Sequence, residues 1–279
     1  MNFKKYGPRI ILGFLLITAL IFYVVYNEND DLLKVTFLNV GDGHAIFIRS
    51  PNGNQFLINA GSDTSILRAL GRVIPFYDRT IDAVFLTDGD QASIGGMPEV
   101  LKNYTIKTYI ESAASGHGVA YHEMENEITK KNIKTDFIRS GSIVDLGGNA
   151  YLRILFINDD TKAGESMVAQ IVYGDSTFLI MPNNISTTIE NYLAGIFQSK
   201  LKSTVFEAPH SGAKNYLSDT FLSAVAPEFS IISVNKNNKN GYPVQETLDA
   251  LLSVKSIILE TYNGDISFVS NGQNTGLSN

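Results

Sequence analysis

A chain of 279 residues, 44% of them hydrophobic and 18% charged, is long enough for one large core, and it contains no cysteine. Disulfides, thiolate metal sites and cysteine nucleophiles are therefore excluded. The formal net charge of −6 argues against direct nucleic-acid binding, which relies on Lys and Arg displacing counterions from phosphate.

The first nine residues carry Lys4, Lys5 and Arg9, and residues 10–26 then run without a charge or a proline. A helix of that length rises about 25 Å, enough to cross a hydrocarbon core. Glu28, Asp30 and Asp31 follow it. This charge asymmetry predicts a single-pass cell-membrane anchor, with 1–9 cytoplasmic and the rest extracytoplasmic. A cleavable signal peptide shows the same charges but ends in small residues. This run ends Tyr23-Val24-Val25-Tyr26-Asn27, so an uncleaved anchor is expected.

Residues 27–33 read as an acidic spacer, 34–270 as one domain, and 271–279 as a flexible Gly/Asn/Ser-rich tail. Within the domain, Lys34–Leu38 reads as a strand. Ala45–Arg49 and Gln55–Asn59 read as a hairpin closed by Pro51-Asn52-Gly53-Asn54. Asp63 or Thr64 is placed to cap a helix through Val73, with Ile66, Leu67, Leu70 and Val73 at helical spacing. The wholly apolar Ala83–Leu86 reads as a strand buried on both faces.

Further strands are predicted at 107–110, 152–157, 168–172, 177–180, 204–206, 230–233, 256–259 and 266–269, and helices near 97–103, 119–132, 187–198, 218–226 and 244–252. Tyr173-Gly174-Asp175-Ser176 reads as a second tight hairpin. Hairpins followed by alternating strand and helix predict a layered α/β sandwich.

In such sheets, ligands collect where loops leave the carboxyl ends of strands. Those loops, with the opening strand, carry a family resemblance. Thr36–Ala45 is similar to the opening F-L-D-V-G-Q-G-D-A of the C-terminal domain of ComEC-type competence proteins, a metallo-β-lactamase-fold domain. The likeness continues through Phe56–Gly61, Leu86–Gly96, Phe178–Asn183, Ala208–Gly212 and Ile231–Pro243, in the family's order. It implies an αβ/βα four-layer sandwich, here preceded by one transmembrane helix. It also implies chemistry by two divalent metals held by His and Asp.

Placed on this sequence, most of the family's ligands are absent. The H-x-H-x-D-H run is Asp88, Asp90, Ala92 and Ser93. The strand-end aspartates are Asn59 and Asn183. The G-H-P histidine is Tyr242, and of the His-His pair His210 remains beside Ser211. Asn keeps the shape of Asp without its charge, and Ala92 offers no ligand atom. Tyr242 is a ligand only when deprotonated, from a pKa near ~10. A two-zinc centre is not expected, and the cofactor expectation is none. The alternative is one divalent cation held by Asp88, Asp90 and His210, although Asp88-Gly89-Asp90 is also ordinary turn composition.

His44 stands where the family has a small acidic residue and reads as a polar contact near the site. His117 and His122 read as part of a solvated helix start. A Walker or Rossmann phosphate loop and a serine-hydrolase elbow are both missing. The resulting expectation is a membrane-anchored, non-catalytic binding or scaffold pseudoenzyme. Its partner would be another protein or a DNA-uptake channel. The alternative is a metal-dependent nuclease or phosphodiesterase with a reduced, mononuclear site.

Overall fold

The computed structural model describes residues 3–27, 31–112, 118–158 and 166–278. Helix α1 spans Phe3–Asn27. The first half of the domain runs β1 (Leu33–Phe37), β2 (Ile46–Arg49), β3 (Gln55–Ile58), α2 (Ser65–Val73), β4 (Thr80–Phe85), α3 (Gln91–Ile94), α4 (Met97–Asn103), β5 (Thr105–Ser112), α5 (Val119–Lys131) and β6 (Lys134–Ile138). The second half runs β7 (Ile143–Gly147), β8 (Ala150–Asn158), β9 (Ser166–Tyr173), β10 (Ser176–Ile180), α6 (Thr187–Phe197), β11 (Val205–Glu207), α7 (Asp219–Val225), β12 (Phe229–Ile232), α8 (Gln245–Ser253), β13 (Ile257–Glu260), β14 (Ile266–Ser270) and β15 (Thr275–Leu277).

The central strands are apolar on both faces, and that dictates four layers. In β1 the alternate residues Leu33, Val35 and Phe37 turn inward, and Phe178, Val205 and Ile231 answer them from the other sheet. Leu57 and Val84 face the opposite way, onto α2, α4 and α5. Leu179, Phe206 and Ile232 likewise back onto α6, α7 and α8. One sheet has the order β15-β14-β1-β2-β3-β4-β5-β6 and the other β13-β12-β11-β10-β9-β8-β7. The expected αβ/βα sandwich is thus the observed architecture. Phe268 pins its inner layer, with Phe37, Phe178 and Phe229 at ring distances of 6.2, 6.0 and 5.2 Å. Each such pair contributes roughly 0.5–1.5 kcal/mol beyond simple burial.

Three local features depart from or refine the sequence reading. Of the segment 271–279, expected to fray, residues 271–278 instead turn at Asn271-Gly272-Gln273-Asn274 and add β15 antiparallel to β14. Its turn residues are what a tight hairpin requires, and the same composition mimics disorder. β6 and β7 were not anticipated. Both are edge strands with mixed exposure, so neither shows a two-residue hydrophobic period. At the start of α2, Asp63 Oδ1 accepts the Ser65 N–H at 2.8 Å, while Thr64 is already helical and caps nothing with its side chain.

Among the described residues no helix is long and apolar enough to cross a membrane. In α1, Ile10, Ile11, Leu12, Phe14, Leu15, Leu16, Ile17 and Leu20 are exposed.

Candidate functional site

The carboxyl ends of β3, β4, β10, β11 and β12 open at one edge of the sandwich, and the sequence-selected residues gather there in two tiers. Asp90, Ala92, Asn183, His210, Ser211 and Tyr242 line a cleft of about 180 Å³. Asn59, Asp88 and Ser93 lie behind it, fully or almost fully buried.

His44 lies at the centre of the buried tier. Its ring is on the loop between β1 and β2 and is almost wholly out of solvent. Nδ1 lies 3.3 Å from Glu207 Oε1, and Nε2 lies 2.8 Å from Ser93 Oγ. The Asn59 amide nitrogen approaches Nε2 at 3.1 Å, and Asp88 Oδ2 is 3.9 Å away. Asn59 is fixed in turn: its Oδ1 accepts the Thr87 N–H at 2.9 Å and its amide donates to Thr87 Oγ1 at 2.7 Å. Ser233 Oγ donates to Glu207 Oε1 at 3.1 Å.

Asp88 is equally committed. Its Oδ2 accepts from Thr87 Oγ1 at 3.1 Å and from the Asn183 N–H at 3.0 Å, and its Oδ1 accepts the Asp90 N–H at 3.1 Å. On the cleft wall, His210 stacks on Tyr216 with ring centroids 4.4 Å apart and planes 4° from parallel. Its Nδ1 lies 3.2 Å from the Asn183 carbonyl. Ser211 Oγ donates to the Ser233 carbonyl at 2.7 Å, and the Tyr242 backbone is clasped by the Asn238 side chain through both its N–H and its C=O.

The electrostatics follow from this burial. Desolvation pulls the His44 pKa down, but Glu207, through charge and hydrogen bond, and then Asp88 and Asp90 outweigh it, so the net shift is upward. The Asp90 carboxyl is raised by burial and by Asp88, against the opposing pull of His210 and His44.

Gly43 sets this arrangement. Its φ is +93°, and a Cβ there would lie 2.0 Å from the Ala92 carbonyl, the group that accepts the His44 N–H at 3.2 Å. Gly43→Ala is expected to lower stability by about 2–4 kcal/mol, since it adds a left-handed backbone penalty to a clash with fixed backbone. Thermal unfolding of the purified variant measures this.

Sequence reasoning treated His44 as peripheral and passed over Glu207, Thr87 and Ser233. Glu207 had a readable signal, a carboxylate closing the otherwise apolar strand Val205-Phe206. His122 lies exposed on α5, away from this site, and His117 is outside the described residues.

No family model matches the chain. It is 21% identical over 285 residues to ComE operon protein 3 of Bacillus subtilis (strain 168), covering 95% of this chain and 36% of that protein. It is 24% identical over 222 residues to competence protein ComA of Neisseria gonorrhoeae, covering 78% of this chain and 29% of that one. The chain therefore spans about a third of the length of these relatives. Among solved structures, the metallo-β-lactamase fold protein YhfI from Bacillus subtilis superposes with a TM-score of 0.55 at 11% identity, over 85% of this chain and 99% of that one. The chain has the metallo-β-lactamase fold. Zn²⁺-bound PqqB from Methylobacterium extorquens shares it, with a TM-score of 0.52 at 11% identity over 84% of this chain and 99% of that one. So does the diiron β-hydroxylase CmlA from Streptomyces venezuelae, at 0.55 and 12% over 85% of this chain and 54% of that one.

The metallo-β-lactamase fold implies metal at this edge, but the donors present do not fit a dinuclear centre. Both Asp88 oxygens already accept protein N–H or O–H groups, and positions 59 and 183 present amides. Asp88 Oδ2 also lies 3.9 Å from His44 Nε2. Among the described residues, no three His, Asp or Glu side chains converge where they could hold an ion.

Proposed function

We propose that this chain is a non-catalytic binding or scaffold module of the metallo-β-lactamase fold, held on the extracytoplasmic face of a membrane by the apolar run at residues 10–26. One observation carries the non-catalytic part. In the His44–Glu207–Asp88 cluster at the metal edge, both Asp88 oxygens and both His44 ring nitrogens are engaged by protein groups, so the groups that would bind and activate a hydrolytic water are spent on each other. The exposed apolar side chains of α1 support the anchor. The likeness to competence proteins supports a partnership with a separate channel that takes up DNA. The cleft itself, walled by His210, Tyr242 and asparagine amides, is suited to a small polar segment of such a partner.

Elemental analysis of the purified full chain, followed by titration with Zn²⁺, Mn²⁺ and Mg²⁺, tests the reading. No stoichiometric binding tighter than about millimolar is expected. One ion bound per chain and lost in His210→Ala would overturn it in favour of a mononuclear hydrolase using Asp88 and Asp90.

A further inference from the structure

The edge of the sandwich opposite the cleft carries an exposed aromatic pair that no part of the site uses. Phe76 is 88% and Tyr77 77% exposed, on the loop between α2 and β4, with their rings 5.4 Å apart edge to face. Two large aromatic side chains side by side and this bare form an exposed apolar patch, a feature that can mark an interaction site.

Topology places that pair at the end of the domain where α1 is attached. β1 and β3 are both antiparallel to β2, and β4 and β5 are parallel to β3, so β1, β3, β4 and β5 all begin at one edge. β1 and β4 start about 15 Å apart, three strand spacings. Residues 28–30 are all that separate α1 from Asp31, a reach of about 14 Å at full extension. Asp31 is itself fixed at this edge, since its carbonyl accepts the Tyr173 hydroxyl at 2.8 Å, and Leu32 beside it is exposed. The anchor helix therefore delivers the chain to the edge that bears Phe76 and Tyr77.

That edge is of mixed charge. The turns leading into β11 and β13 carry Lys200, Lys202 and Lys255, the turn before β4 carries Arg79, and Lys34 is the second residue of β1. Asp31, Asp78, Asp175 and Glu228 lie on turns at the same edge. Amphipathic aromatic rings such as these are the side chains that settle at the headgroup level of a bilayer.

We infer that Phe76 and Tyr77 dip into the headgroup layer of the membrane that holds α1. They give the domain a second point of contact and turn the cleft away from the bilayer, about 20 Å off, the length of β4. The inference rests on the anchor reading above.

The chain has no tryptophan, so single substitutions make clean fluorescent probes. The full chain would be reconstituted in vesicles of equal parts phosphatidylcholine and phosphatidylglycerol, with lipids brominated either near the headgroup or near the chain end. Three variants are compared: Phe76→Trp on the loop, Phe14→Trp in α1, and Lys239→Trp on the cleft rim. The expected result is loss of Phe14→Trp emission to deep bromines and of Phe76→Trp emission to shallow ones, with Lys239→Trp unquenched and red-shifted. Quenching of Phe14→Trp without Phe76→Trp leaves the anchor standing and overturns the seating. Equal quenching of Phe76→Trp and Lys239→Trp overturns it too, because the domain then has no preferred face. An unquenched Phe14→Trp defeats the anchor reading itself, and the seating with it.

Discussion

Replacing His44 with alanine is expected to cost about 3–5 kcal/mol of folding stability, a drop in Tm on the order of 10 °C. The ring stands between two buried carboxylates, 3.3 Å from Glu207 and 3.9 Å from Asp88. Without it Glu207 keeps only Ser233 as a donor, since its Oε2 already lacks a partner. A buried carboxylate stripped of its countercharge is far costlier than the same site without the charge. The double variant His44→Ala, Glu207→Gln should therefore recover a good part of the loss.

The pH dependence gives a second check. The folded-state pKa of His44 is raised, so the stability it contributes is fully present below its ordinary value near 6.5 and fades as pH rises through the folded value. The gap between wild type and His44→Ala should thus be widest near pH 6 and narrow toward pH 9. Chemical denaturation at several pH values measures it. Equal stability of the two proteins at pH 6 would remove the cluster from any structural role.

The cluster shows where a linear reading stops. The fold was legible because its signals are local. Asn-Gly and Tyr-Gly-Asp-Ser turns, two-residue alternation and one buried apolar run can each be read within a dozen residues. The cleft wall was legible because the family resemblance placed Asp90, Ala92, Asn183, His210, Ser211 and Tyr242 residue by residue, on segments that follow the carboxyl ends of strands, where topology gathers side chains. The His44–Glu207 contact joins residues 163 positions apart. Nothing local marks His44 as paired, and only the facing of two sheets brings a β1–β2 loop against the end of β11. β6 and β7 were missed because edge strands answer to solvent on one side and lose the apolar period. The tail was misread because hairpin turns and disorder share a composition.

Glu190→Gln is expected to reverse its effect with pH, near neutral or mildly destabilising at pH 5 and stabilising at pH 9. Glu190 is fully buried on α6. One of its oxygens accepts the Ser218 N–H at 2.7 Å, while the other has no partner. Burial pushes its pKa up to about 8, against the opposing effect of Ser218, and among the described residues no cation offsets it. The carboxyl is therefore mainly protonated in the folded protein at neutral pH, while the unfolded chain ionises at its ordinary value of 4.5. The native state binds the extra proton between those two values, so stability falls as pH rises through that window and levels off above about 8. Carried to pH 9, the penalty is on the order of a few kcal/mol.

Glutamine cannot ionise, so the variant removes that slope and leaves the one due to His44, which has the same sign. The difference between the two stability–pH curves isolates Glu190. Its cost at low pH reflects an amide nitrogen placed where the unpartnered oxygen now lies, about 1–3 kcal/mol at most. A difference curve that stays flat from pH 5 to 9 would mean that Glu190 is ionised in the folded state. The contact joining α6 to the capped start of α7 at Ser218 would then be a charged hydrogen bond to a buried carboxylate rather than a neutral one.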